Sequence, residues 1–338
     1  MNSRRPVDSF AASMMLVLCA IWGTQQVAIK LVAEEMSPLL QVGIRSGVAA
    51  AIVAIVAMMR NELGWFRAGT WKPGLVVGAL FGIEFVFVGV GLRHTSASHM
   101  AIFLYTAPIF AALGLHVGMR EERLSVVQWG GILVAFLGVV VSFAFRGGAG
   151  AGDFALFGDL LGVMAGAAWG ATTVVIRGSR LSDAPASVTL LYQLMGAFLL
   201  ACGGAVVLGQ ADVVVTPALV LSVGYQSLVV AVVSYLAWFA LLRTYLASRL
   251  GVLSFMTPLF GVTSGVLVLG EPLDGAFLAG SLLVVAGILL VSCGGEIRNW
   301  ELEIGEKGDW NAEGAGVGGG RGGRGGVKSH EGGGWERV

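Results

Sequence analysis

Long apolar runs, separated by short polar breaks, fill most of the chain. The hydrocarbon core of a bilayer is about 30 Å thick and needs about 20 apolar residues in helical form. Ten runs are long enough, and each is bounded by charges, Pro, Gly or Asp. They are residues 10–32, 38–59, 73–92, 97–119, 125–145, 155–176, 186–209, 216–242, 250–270 and 275–293. The pattern predicts an all-α integral membrane protein with ten transmembrane helices in one compact bundle.

Composition excludes a pair of soluble domains. The 338 residues are 56% hydrophobic and 12% charged, whereas soluble domains carry about 25% charged residues. The 21 basic and 21 acidic residues cancel, so we expect no basic field and no nucleic-acid partner. Cys19, Cys202 and Cys293 lie singly in apolar runs, which argues against a disulfide framework or a metal cluster. Within residues 10–293 no dinucleotide, phosphate-loop or HExxH motif is present, so we expect no cofactor and no metal.

Lysine and arginine positions predict the orientation in the membrane. With the N-terminus inside and ten spans, eleven basic residues flank the spans on the inside and three on the outside. The outside residues are Lys30, Arg93 and Arg146, and Arg45 lies within a span. Cytoplasmic segments carry the excess of Lys and Arg. Both termini are therefore predicted to be cytoplasmic, and the long first run after Arg4 and Arg5 is predicted to be an uncleaved span.

Two halves of the chain resemble each other. Residues 20–30 read AIWGTQQVAIK and residues 167–177 read AAWGATTVVIR. A constant offset of 150 residues then pairs the first-half residues Leu92, Arg93, Ala97, Ser98, Pro108, Phe110, Glu121 and Gly130 with identical residues. Each half holds five predicted spans, an odd number, so the halves must be inverted relative to each other. Inverted repeats are typical of transporters, with the substrate site near the midplane between them.

These observations predict five segments. They are a cytoplasmic N-terminus at 1–9, a first five-helix repeat at 10–145, an external linker at 146–154, a second repeat at 155–293 and a Gly-rich tail at 294–338. Residues 295–338 hold 15 of the 52 glycines and cannot bury enough apolar surface to offset chain entropy. The tail is therefore predicted to be disordered and cytoplasmic.

The repeat pattern resembles the EamA family of the drug/metabolite transporter superfamily. The resemblance rests on Trp-Gly in the first helix of each half, on Arg45 early in the second helix, and on a Pro followed thirteen residues later by Glu in each half. It covers about residues 12–293. It implies a multi-pass carrier of the inner or plasma membrane, often an exporter of amino acids, related metabolites or drugs. Either Glu121 or Glu122 can be the family glutamate of the first half, and Arg45 has no Arg partner in the second half.

Pro108 and Pro258 lie close to the middle of their spans. A mid-helix proline removes a donor and frees the carbonyl four residues earlier, here those of Leu104 and Ser254. In lipid such a break survives where protein or a water-filled cavity satisfies the freed groups. The symmetric pair predicts gating elements or helix breaks beside the transport path, and a harmless kink is the alternative.

Glycines at a spacing of four form two ridges, Gly74, Gly78 and Gly82 in one half and Gly162, Gly166 and Gly170 in the other. This spacing places them on one helix face, where small residues let helix backbones approach closely. Close packing is the primary interpretation, and a surface along which the repeats rock is the alternative.

Glu84 lies near the centre of the third span. A carboxylate inside a membrane is costly and marks function by default. Its partner at the offset of 150 residues is Ser234, so both are predicted to face one cavity. Two interpretations remain open: binding of a proton or a substrate amine, and a buried structural pair with Arg45 or a histidine.

Other polar and aromatic residues inside the spans add amide groups, phenols and indole rings. Trp22, Gln25 and Gln26 share one helix face, since residues three and four apart are neighbours. Such groups suit a zwitterion with an apolar or aromatic side chain, although each alone could serve interhelical packing. The candidate substrate-binding residues are Trp22, Gln25, Gln26, Glu84, Tyr105, Trp169, Tyr192, Gln193, Gln226, Ser234 and Trp238.

The sequence thus predicts a secondary transporter that exports a small metabolite by alternating access and is not an enzyme. Its expected partners are the small-molecule substrate, the lipid bilayer and a coupled proton, and a homodimer stays open. The alternatives are an intramembrane enzyme, which needs a cluster of ionisable or metal-binding residues at one depth, and a membrane-embedded binding or sensor protein.

Overall fold

The computed structural model describes residues 8–67, 69–118, 124–144, 155–245, 250, 253–254 and 256–291. Throughout these residues the chain is helical, apart from turns and one isolated bridge between Met36 and Val213. The helices are α1 Ser9–Leu31, α2 Pro38–Met59, α3 Trp71–Gly91, α4 Ala97–Leu104, α5 Ala107–Gly118, α6 Val126–Ala144, α7 Ala155–Arg177, α8 Ala186–Val207, α9 Pro217–Gly224, α10 Ser234–Thr244, α11 Thr257–Leu269 and α12 Gly275–Val291. A π-helix, Tyr225–Val233, joins α9 to α10, and short 3₁₀ helices cover Leu63–Arg67 and Arg180–Ser182.

The all-helical prediction is confirmed for the described residues. Seven helical segments are long and apolar enough to cross a membrane, and three shorter apolar helices cover Val126–Ser142, Thr257–Leu269 and Gly275–Val291. Each of these segments overlaps one predicted run. The count of ten crossings and the inverted arrangement stay predictions. The external linker, the Gly-rich tail, Glu121 and Glu122 lie outside the described residues, as does most of the N-terminal segment.

Polar side chains fix where several helices begin. Asp8 accepts from the Ala11 N–H at 2.8 Å, Ser96 from the His99 N–H at 3.0 Å, and Thr216 from the Leu219 N–H at 3.1 Å. These caps satisfy backbone donors that have no partner inside the helix. The Ala11 N–H and the Tyr245 hydroxyl both donate to Asp8 and hold the pKa of this carboxyl below its usual range.

Helices from the two halves pack directly on each other. In the core α3 lies against α7 and α8, α8 also contacts α2, α5 contacts α7, and α1 packs against α11. Buried apolar side chains from both halves, including Ile29, Phe81, Val88 and Ala197, form one cluster. This interdigitation places the space between α1, α3, α7, α8 and α10 at the junction of the halves.

Candidate functional site

A cavity of about 350 Å³ lies at this junction. Its walls come from α1, α3, the end of α4, α7, α8, α10 and the segment before α11. It is lined by Trp22, Gln25, Gln26, Phe81, Glu84, Phe85, Leu104, Tyr105, Trp169, Leu190, Gln193, Tyr235, Trp238 and Ser254. The structure therefore brings together eight of the eleven sequence-predicted residues.

Among the described residues, one carboxyl oxygen and one amide oxygen of this cavity are buried without a hydrogen-bond partner. Glu84 is 3% exposed and its Oε2 makes no hydrogen bond. Gln26 is 4% exposed and its Oε1 likewise makes none. A buried polar atom left unpaired costs about 1–3 kcal/mol. The two acceptors therefore favour a ligand that brings hydrogen-bond donors into the cavity.

Arg45 supplies the positive charge nearest to this carboxylate. Its guanidinium carbon lies 4.7 Å from the centre of the Phe85 ring, and its Nη1 has no hydrogen-bond partner. Within the described residues no direct ion pair joins Arg45 to Glu84, although the two charges attract each other electrostatically. No direct ion pair thus occupies Glu84 among the described residues, and its side chain lines the cavity.

Aromatic rings form two edge-to-face pairs on the cavity wall. Trp22 and Trp238 have ring centroids 5.7 Å apart with planes at 76°, and Tyr105 and Trp169 have centroids 5.4 Å apart at 87°. Such geometry is a favoured arrangement for aromatic pairs. The rings present fixed apolar and π surfaces beside the buried acceptors, a combination that suits a cationic or zwitterionic amphipathic ligand.

Three predicted site residues lie outside the cavity wall. The Tyr192 ring packs on Phe66, with centroids 5.0 Å apart. Gln226 donates through Nε2 to Gln41 Oε1 at 2.9 Å. Ser234 Oγ accepts from Trp22 Nε1 at 2.8 Å, so it positions an indole of the wall.

Six residues of the wall were missing from the sequence-based set. They are Phe81, Phe85, Leu104, Leu190, Tyr235 and Ser254. Phe81, Phe85 and Leu190 resemble any other core residue of an apolar span, so the sequence carries no signal for them, whereas Leu104 lies four residues before Pro108. Tyr235 directly follows the predicted Ser234, and Ser254 lies four residues before Pro258.

Helix interruptions occur at both prolines for which the sequence predicted a break. α4 ends at Leu104 and α5 begins at Ala107, one residue before Pro108. Thr106 Oγ1 donates to the Phe103 carbonyl at 2.6 Å and satisfies a backbone group at this break. Pro258 is the second residue of α11, after a turn at Met256. Because Tyr105 and Ser254 lie beside these breaks, irregular backbone adjoins the cavity on both sides.

The start of α4 holds a cluster of polar contacts at one end of the bundle. Glu271 Oε1 accepts from the Ala97 N–H at 2.6 Å, and Glu271 Oε2 accepts from the Ser98 N–H at 2.9 Å and the Ser98 hydroxyl at 2.6 Å. A glutamate of the second half thus caps a helix of the first half. The repeat singled out Glu271 as the partner of Glu121, but its contact with α4 had no signal in the sequence.

Replacing Glu271 tests this cap. Glu271→Ala removes the acceptor of three hydrogen bonds and should destabilise the protein by about 2 kcal/mol. The expected readout is a lower thermal midpoint of the detergent-solubilised protein. Glu271→Gln keeps one carbonyl oxygen as an acceptor and should lower the thermal midpoint by less than Glu271→Ala does. Equal midpoints for wild type and the alanine variant would contradict the cap.

Comparison with known proteins gives concordant results. The model of the EamA-like transporter family matches residues 9–144 and 156–293. A "Probable amino-acid metabolite efflux pump" of Salmonella typhimurium is 28% identical over 86% of this chain and 96% of its own length. The "Uncharacterized transporter YvbV" of Bacillus subtilis is 28% identical over 83% of this chain and 91% of its own. A solved crystal structure with 20% identity superposes with a TM-score of 0.60 over 86% of this chain and 99% of that chain, which shows a shared fold.

Proposed function

The chain belongs to the EamA-like transporter family, and from this premise we propose that it is a ten-helix secondary carrier exporting amino acids or related small metabolites. It is a multi-pass transporter of the cell's inner or plasma membrane. The family match and the efflux-pump relatives favour transport over the intramembrane-enzyme and sensor alternatives.

The unpaired acceptors of the central cavity carry the proposal of substrate class. Glu84 Oε2 and Gln26 Oε1 lie in one cavity with the four rings of the two aromatic pairs. An α-ammonium group brings three donors and a positive charge, which match two buried acceptors better than a neutral or anionic group does. The indole and phenol rings then accommodate an apolar or aromatic side chain. We therefore assign the cavity to amino acids and related amines.

Glu84 is the group we propose for energy coupling. A carboxyl group can exchange a proton for a substrate ammonium, so that one site holds either cargo. The empty carrier would bind a proton on one side of the membrane and release it on the other, where the substrate binds in its place. This exchange would couple export to a proton gradient. Arg45 lies nearby, with its guanidinium over the Phe85 ring, and makes no direct ion pair with Glu84 among the described residues. The Glu84 carboxylate can therefore bind either a proton or a substrate ammonium.

Contacts at one end of the bundle support the inverted topology. Lys30 donates to the Thr95 carbonyl, and the Thr95 hydroxyl donates to Asp159. Glu271 caps α4 at the same end. The proposed ten-span topology places the segments around Lys30, Thr95, Asp159 and Glu271 on the outside. Contacts among these segments are therefore consistent with it.

Contacts at the other end agree with the same path. Tyr245 donates to Asp8 at 2.9 Å, and the Ser187 hydroxyl donates to Glu62. The proposed path puts these four residues inside. The contacts named at each end therefore join segments that the proposed topology places on one side of the membrane.

Accessibility tags test this topology. Cysteine or reporter tags at residue 300 and within 60–70 should be reached from the cytoplasm, and tags at 148–152 should be reached from outside. The positive-inside rule and the odd number of spans per half require this alternation. A tag at 148–152 reached only from the cytoplasm would contradict the inverted repeat.

The two proline breaks complete the proposed mechanism. Alternating access needs elements that bend while the rest of each repeat moves as a rigid body. Pro108 and Pro258 interrupt their helices where these adjoin the cavity, so both are placed well to act as such hinges. We propose that they gate the cavity from opposite repeats.

A metabolite-wide comparison of cells with and without the protein identifies the cargo. Compounds that accumulate in the medium only when the protein is present are then tested for efflux from proteoliposomes. We expect an amino acid or a related amine to move without ATP. A protein that alters no secreted metabolite and moves none in liposomes would contradict the proposal.

A further inference from the structure

A second cavity of about 200 Å³ lies between α2, α8 and α10. It is lined by Val53, Val56, Arg60, Ala186, Ser187, Leu190, Leu236 and Ala240. Arg60 follows the last residue of α2 and Ala186 begins α8. In the proposed topology both lie at the cytoplasmic end, so this cavity stands between the cytoplasm and the membrane interior.

Leu190 separates the two cavities. It contributes to the walls of both the central cavity and the second one. On α8, Ser187 lines the outer cavity and Gln193 the central one, each about one turn away from Leu190. On α10, Leu236 and Ala240 line the outer cavity and Tyr235 and Trp238 line the central one, so this helix turns a different face to each cavity. Adjacent turns of α8 therefore form a continuous row with Leu190 at its middle.

The packing of Leu190 makes it a closed partition. The side chain is 3% exposed and belongs to a cluster with Ala49, Ala50 and Val53 of α2. Alanines on the opposing helix leave little bulk beside it.

The outer cavity is apolar along its walls and charged at its mouth. Its walls are mostly valines, leucines and alanines, and the cationic group at its edge is Arg60, which is exposed. No ion pair of Arg60 is found within the described residues. The Ser187 hydroxyl donates to Glu62, so this carboxylate adds a negative charge beside the same cavity. A guanidinium beside an apolar pocket suits an amphipathic anion, above all a carboxylate on an apolar body.

We propose that this outer cavity is the cytoplasmic antechamber of the central site, in which Arg60 selects carboxylate-bearing cargo and Leu190 controls its passage inward. The inference rests on the proposed function and adds a specificity element to it. The central acceptors would bind the ammonium end of an amino acid, and Arg60 would attract its carboxylate first. Neutral amines that lack a carboxylate would gain nothing from Arg60.

Thiol labelling tests the route without knowledge of the cargo. Gln193→Cys is placed in a chain whose natural cysteines, Cys19, Cys202 and Cys293, are replaced by serine. Inside-out vesicles expose the cytoplasmic face to two small reagents, the anionic sulfonatoethyl and the cationic trimethylammonioethyl methanethiosulfonates. The measured quantity is the rate at which each reagent modifies the thiol introduced in place of Gln193.

Adding Leu190→Trp should slow both reagents by about tenfold, since the larger indole ring fills the space between the two cavities. Leu190→Ala should speed both. Arg60→Gln should lower the ratio of anionic to cationic rates by about tenfold, in line with electrostatic steering by a local charge. Lys72→Gln removes an equal charge at the same end, where Lys72 lies over the Trp71 ring and outside the cavity, and should leave the ratio unchanged.

Unchanged rates in the Leu190→Trp variant would overturn the route, and equal effects of Arg60→Gln and Lys72→Gln would overturn the selective role of Arg60. Repeating the labelling in pure phosphatidylcholine proteoliposomes separates cargo from lipid. If the Arg60 effect requires anionic lipid, the pocket holds a lipid headgroup and the antechamber is wrong. Absent metabolite flux with an intact labelling pattern would instead contradict the proposed function, and only the access route past Leu190 and the charge effect of Arg60 would remain.

Discussion

Gly196→Leu is expected to prevent assembly of the helix bundle. The backbones of α3 and α8 meet at Gly78 and Gly196, and a Cβ at Gly196 would overlap the Gly78 backbone. A Cβ at Gly78 would in turn lie 2.6 Å from the Tyr192 carbonyl oxygen. Separating the helices would also remove contacts along the core cluster. We expect the free energy of unfolding to fall by about 3 kcal/mol or more, enough to unfold a marginally stable protein.

Fluorescence size-exclusion chromatography of a tagged, detergent-solubilised protein measures this effect. Gly196→Leu should give aggregate or no protein. Gly203→Leu, in the same helix, is the matched control, because a Cβ there meets nothing within 4 Å and the residue is exposed. This control should elute as wild type does. A monodisperse Gly196→Leu protein at wild-type abundance would show that α3 and α8 do not pack as described.

Glu84→Gln is expected to remove the response of transport to a pH gradient. The amide is nearly isosteric with the carboxyl group and avoids the cost of a buried charge, so the fold should persist. It cannot exchange a proton, and it can offer an ammonium group a hydrogen bond but no ion pair. In proteoliposomes with equal amounts of protein, wild-type flux should change with an imposed pH gradient, and flux of the variant should fall by about tenfold or more and lose that response.

Glu34→Gln is the control for this experiment, since it removes a carboxylate from the exposed turn after α1. It should keep both the flux and the pH response. A Glu84→Gln protein with full flux and an unchanged pH response would make Glu84 structural. If wild type ignores the gradient but the variant loses flux, Glu84 binds substrate in a uniporter and the coupling proposal is wrong.

Hydropathy alone predicted the positions of the helices well, because lipid requires long apolar segments with every backbone group bonded inside the helix. It could not predict how those segments are divided. The fourth run is split into α4 and α5 at Tyr105 and Thr106, and the eighth contains the π-helix Tyr225–Val233. Proline marked the first irregularity. The π-helix has no comparable signal in the sequence, and it packs against α1 and α2, which are distant parts of the chain.

The candidate site was predictable where function requires polar or aromatic groups inside an apolar run. Glu84, Gln25 and Trp22 stood out for this reason. The offset of 150 residues placed Ser234 opposite Glu84, but Ser234 instead holds the Trp22 indole, and its neighbour Tyr235 lines the cavity. A π-helix follows an i to i+5 hydrogen-bond pattern, so it changes the face on which later residues point. The repeat offset therefore identified α10 as a helix of the cavity wall, but it did not identify which face of α10 lines the cavity.

Solute counterflow tests most directly that the central cavity is the substrate site. Liposomes that carry wild type are loaded with the unlabelled exported compound, and uptake of labelled compound is followed without ATP. Gln193→Trp fills the cavity from α8, and Leu199→Trp places the same ring on the exposed side of that helix. Wild type and Leu199→Trp should show transient accumulation, while Gln193→Trp, folded by size-exclusion, should match protein-free liposomes. Counterflow by Gln193→Trp at the wild-type rate would contradict the assignment of the site.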